Sequence, residues 1–137
     1  MKTEGPEPRY VTKAAMESII AKFKWSHHDW MQDWPLEISD EINIYECLQE
    51  YGGLTNEDEK FLLMKAVLYA LEEVKSEEEF EKYGEQVSEL LNKDFSIHIS
   101  TIYYWTLYSD EEFDGFRITP LMRIIWNNNI KRSTTTE

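Results

Sequence analysis

The stretch Glu57 to Lys75, EDEKFLLMKAVLYALEEVK, decides the fold. Phe61, Leu62, Leu63, Met64, Ala66, Val67, Leu68, Tyr69, Ala70, Leu71 and Val74 leave no polar face along its middle. Its length and its alanine, leucine and methionine content predict a helix rather than a strand. A helix apolar nearly all round has to be covered by neighbours on several sides. Thr55-Asn56-Glu57-Asp58 supplies a capping box at its start. The interior Lys65 and the short apolar run argue against a membrane span, which needs about 18–20 apolar residues.

Working outward, the flanks read as the covering helices. Ser76-Glu77-Glu78-Glu79 is another capping box, and it opens a helix to about Lys93. Phe80, Tyr83, Val87, Leu90 and Leu91 form its apolar face; Glu78, Glu81, Lys82, Glu85, Glu89 and Lys93 form a wet one. Upstream, Ser39 caps a helix carrying Ile44, Cys47, Leu48 and Tyr51, which Gly52 and Gly53 stop by adopting left-handed geometry. Thr12 caps a first helix with Met16, Ile19, Ile20 and Phe23 on one face. Between them, Ser26 to Asp29 fits a capping box for a short helix through Trp30, Met31 and Trp34, ended by Pro35. Residues 1–10, with Gly5, Pro6 and Pro8, read as a mobile arm, and residues 133–137 as a polar tail.

Residues 94–108 are ambiguous. Phe95, Ile97 and Ile99 alternate with Ser96, His98 and Ser100, which is strand spacing. No turn signal divides the stretch, and a lone strand has no evident partner. It reads as an extended entry followed by a helix over about Thr101 to Tyr108. Thr119-Pro120 then starts a last helix with Leu121, Ile124 and Ile125 facing inward, ended by Asn127-Asn128-Asn129. The expected architecture is all-α: a single domain over 11–132, an irregular compact bundle of about six helices.

Charge is the strongest functional signal. The net charge is −13. Residues 36–109 carry 17 acidic and five basic groups, and Asp110, Glu111, Glu112 and Asp114 add four carboxylates in five positions. This argues against nucleic acid or an anionic membrane as partner and favours a basic protein. Acidity also serves plain solubility. The single cysteine, Cys47, forbids an intrachain disulfide, and no basic segment followed by an apolar run opens the chain. A cytoplasmic protein is expected.

Catalytic and metal signals fail on inspection. Asp110 to Gly115 resembles the first half of a calcium loop, but its twelfth position is Leu121, where a bidentate carboxylate is required. His27, His28, Asp29 and Asp33 match no metal-ligand spacing. Cys47 lies on an apolar stripe and reads as core rather than nucleophile. No phosphate loop, nucleophile elbow or dinucleotide fingerprint is present, so no cofactor and no metal is expected.

The late aromatics are the better candidates. Tyr103, Tyr104, Trp105 and Tyr108 immediately precede Asp110, Glu111, Glu112 and Asp114. Four aromatics in six residues cannot share one helical face, because successive residues are 100° apart. At least one must reach the surface beside an acidic rim, the combination of an anchor and a steering field. The expected function is a non-catalytic module that masks a basic protein surface. In charge, size and helical character alone, the chain is similar to small acidic immunity proteins and other inhibitors of nucleic-acid-acting toxins. The alternatives are a small carboxylate-based enzyme, or a helical homo-oligomer whose acidity serves only solubility. The sequence leaves the oligomeric state open.

Overall fold

A computed structural model describes residues 6, 7, 9–25, 41–108 and 115–135, with side chains as far as Ile130. The described residues hold six helices and no strand: α1 (Lys13–Phe23), α2 (Ile44–Tyr51), α3 (Glu57–Glu72), α4 (Glu77–Lys93), α5 (Phe95–Thr106) and α6 (Thr119–Thr135). No described helix is long and apolar enough to cross a membrane. The proposed short helix over 26–34, with His27, His28, Asp29 and Asp33, lies outside the described residues, as do Ser39 and Asp40. Contacts gather into two compact units. One is residues 10–83; the other is 84–137 together with 1–9.

In the 10–83 unit, α3 is the centre. Phe61, Leu62, Leu63, Met64, Ala66, Val67, Leu68, Ala70 and Leu71 are all buried, and α1 and α2 both pack on it. α1 contributes Ala15 and Ile19, and α2 contributes Ile44, Cys47, Leu48 and Tyr51. Thr12 caps α1 as expected, its hydroxyl accepting from the Ala15 N–H at 3.1 Å. Ser76 does the same for α4 through the Glu79 N–H at 3.2 Å.

Two other caps differ from the sequence reading. α2 starts at Ile44, capped by Asn43 through the Glu46 N–H at 3.1 Å, and not at Ser39. α3 is capped by Asn56 rather than Thr55, through the Glu59 N–H at 3.0 Å. Asparagine caps at least as well as threonine. The Asn56 position also leaves Glu57, Asp58 and Glu59 in the first turn, where the helix dipole favours them. Gly52 and Gly53 do end α2, but Gly52 stays right-handed at φ −60°. The chain leaves through tight turn bonds, Gly53 N–H to Glu50 O and Leu54 N–H to Tyr51 O, which tuck Leu54 into the core.

In the other unit, α5 and α6 pack along each other. Here the extended entry is overturned: α5 is helical from Phe95. Ile97, His98, Thr101, Ile102, Trp105 and Thr106 are its buried residues, a helical stripe that places a histidine inside and defeats the apparent alternation. α6 is also longer and differently turned than its sequence suggests. Its buried face is Met122 and Ile125, continuing Ile118, whereas Ile124 is 58% exposed. The asparagines do not stop it. Asn129 donates to the Ile125 carbonyl at 2.9 Å and to Asn92 Oδ1 at 2.7 Å, so its amide is satisfied within a continuing helix.

Candidate protein-contact surface

The end of α5 divides its aromatics between core and surface. Trp105 is buried, with its ring set edge-on to Phe116 at 4.8 Å and to Tyr104 at 5.5 Å. Its ring is part of the packing of this segment. Tyr104, one residue earlier, is 57% exposed. Tyr103 is half-buried, as the 100° step of a helix places it, and Tyr108, beyond the end of α5, is exposed.

A short polar network holds this arrangement. The Thr106 hydroxyl donates to the Tyr103 carbonyl at 2.6 Å. Leu107 then turns left-handed at φ 59° and closes the helix. From α6, Arg123 Nε donates to the Thr106 carbonyl at 2.8 Å, placing a cation at the negative end of α5. The same guanidinium lies 5.0 Å from the centre of the Tyr108 ring. Asn127 donates to the Tyr108 hydroxyl at 3.2 Å. The buried Thr119 hydroxyl donates to the Trp105 carbonyl at 2.8 Å and accepts from the Phe116 N–H at 2.9 Å. Both flanks of the 109–114 run are thereby tied to the start of α6. Asp110, Glu111, Glu112 and Asp114 themselves lie outside the described residues.

Sequence reasoning missed the α6 half of this surface. Trp126 sits 5.0 Å from Tyr103 and 5.9 Å from Phe95, and Tyr103 sits 6.5 Å from Tyr108. Phe95, Trp126, Tyr103 and Tyr108 form a partly exposed aromatic row along the α5–α6 seam. The missed signal was the spacing Ile118, Met122, Ile125, Asn129. Trp126, one residue after Ile125 and four after Met122, falls at the edge of that stripe.

Burial shifts the acidity of Cys47 and of Lys65. Burial pushes the Cys47 thiol up to about 12, with Glu46 adding to it, so the thiol stays protonated and inert at neutral pH. Burial lowers the Lys65 ammonium from its ordinary value. Cys47 is completely buried in the core, as its place on the apolar stripe suggests. Among the described residues, no three His, Cys, Asp or Glu side chains group so as to hold a metal ion. No protein family matches the chain, and neither curated proteins nor solved structures give a significant match.

Proposed function

We propose that this protein is a non-catalytic, acidic binding module that masks a basic protein surface, in the manner of an immunity-type or inhibitor protein in the cytoplasm. The observation that carries the reading is Tyr104. A large aromatic ring, 57% exposed and held on a pinned helix end, stands six residues before four carboxylates in a chain of net charge −13. Rigid aromatic anchors supply dwell time, while rim charges supply encounter rate. Tyr108 is less available to a partner because Arg123 already lies against its ring.

The test starts with capture from a lysate at low salt, elution at high salt and identification of the eluted protein. Binding kinetics on that protein then separate the two roles. Charge reversal at Glu111 and Glu112 should lower the association rate and flatten its salt dependence. Tyr104→Ala should raise the dissociation rate by about 30-fold, the equivalent of a ~2 kcal/mol hot spot, with an unchanged melting temperature. If both variants bind as the parent does, the α5–α6 surface is not the contact.

A further inference from the structure

Within residues 10–83, the start of α2, the end of α3 and the first turns of α4 line a concavity of about 670 Å³. Its inner wall is apolar: Ile42, Ile44 and Ala70 are buried, and Val74 is half-buried beside them. Its rim is charged. Glu73, Lys75 and Glu79 line it and are exposed, with the half-buried Tyr83 alongside. Glu73 is also the C-cap of α3, at the partially negative end of that helix. The positive end of α4 is offset by its own Glu77, Glu78 and Glu79. From 72 to 79 the chain holds five glutamates against Lys75.

An apolar wall with an acidic rim matches a long aliphatic stem that ends in a cation. An anion would meet two carboxylates against the one ammonium of Lys75 and the uncharged Asn43, and a neutral apolar group would leave the charged rim unanswered. Arginine suits the site better than lysine. Its planar guanidinium reaches separate acceptors in fixed directions and stacks on a phenol ring, and its weaker hydration makes partial burial less costly. We infer that this concavity seats an arginine side chain of the basic partner protein. The inference rests on the masking role proposed above and adds a contact point at α2, α3 and α4 to the aromatic one.

The probe is tri-arginine amide, titrated at low salt into the 15N-labelled full chain, with tri-citrulline amide as the uncharged isostere. Saturable shifts should concentrate at Ile44, Ala70 and Val74, and the citrulline peptide should produce none. The pair Glu73→Gln/Glu79→Gln should weaken tri-arginine binding about tenfold, while the charge-matched pair Glu81→Gln/Glu85→Gln should change it less than about twofold. The amide spectrum of each variant reports its folding directly. Shifts spread along Glu81, Glu85 and Glu89, or equal losses for the two pairs, would overturn the inference in favour of diffuse attraction to an acidic helix. Dimerisation in light scattering that Glu73→Gln/Glu79→Gln abolishes would also overturn it, since a second copy of this chain would then be the occupant. The two readings fail separately. A basic protein captured at low salt without peptide binding at the concavity removes the arginine site alone. Peptide seated there with no protein captured removes the masking role.

Discussion

Lys24 and Leu107 close α1 and α5 in the left-handed region, at φ 58° and 59°, where an L side chain costs roughly 1–2 kcal/mol. Their surroundings differ. Lys24 is exposed, so Lys24→Gly should relieve the strain and stabilise the fold by about 0.5–1 kcal/mol, measured by urea denaturation. Leu107 is buried, so Leu107→Gly exchanges the same relief for about 1.5–3 kcal/mol of lost burial and should destabilise. Equal effects from the two substitutions would mean that burial does not separate these sites. Cys47 makes a second residue-scale prediction. Its folded thiol sits at about 12 against an ordinary 9.0, so the native state holds the proton more tightly than the unfolded chain. That stabilisation is complete below pH 9 and declines between pH 9 and 12. Thermal melts across that range should therefore show an alkaline loss that Cys47→Ala reduces. The native thiol should also resist iodoacetamide at pH 8 and react once the chain is unfolded.

At the scale of elements, α3 and the α5–α6 junction depend on different forces. α3 is held by burial. Leu68 is fully buried on it, and Leu68→Ala should cost ~2–5 kcal/mol in denaturant titration. A loss under about 0.5 kcal/mol, the range of neutral surface changes, would place that face in solvent. The junction is held by polar groups, the buried Thr119 hydroxyl at their centre. Thr119→Val keeps the shape but removes the hydroxyl that bonds both the Phe116 N–H and the buried Trp105 carbonyl, and should cost ~1–3 kcal/mol. Amide exchange at Phe116 should accelerate in this variant, while the Ala15 amide in α1, capped by Thr12, should exchange as before.

For the whole molecule, charge sets opposite salt responses for stability and binding. Seventeen acidic groups over 36–109 repel one another, so raising ionic strength should raise the melting temperature. The same screening should slow association with a basic partner. A melting temperature that falls with added sodium chloride would show that attractive pairs dominate. The Lys22–Glu50 ion pair, at 3.4 Å, is largely exposed and contributes little by itself.

The all-helical class, the burial of α3 within residues 10–83, the Thr12 and Ser76 caps and the buried Cys47 were all legible in the sequence. Each is written in neighbouring residues: a cap acts within one turn, and an apolar girdle announces its own burial. Other features were decided by groups distant in the chain. Alternation at 95–100 read as extended because only packing shows that His98 faces inward. The α6 asparagines looked like a stop until Asn129 met Asn92, 37 residues away. Which of Tyr103, Tyr104, Trp105 and Tyr108 reaches the surface follows from Thr119 holding the Trp105 carbonyl, 14 residues away, and Arg123 holding that of Thr106, 17 away. Local patterning sets where a helix can form, because backbone hydrogen bonds close within four residues. Which side of that helix faces the core, and whether a polar residue ends it, depends on the partner that tertiary packing brings to it.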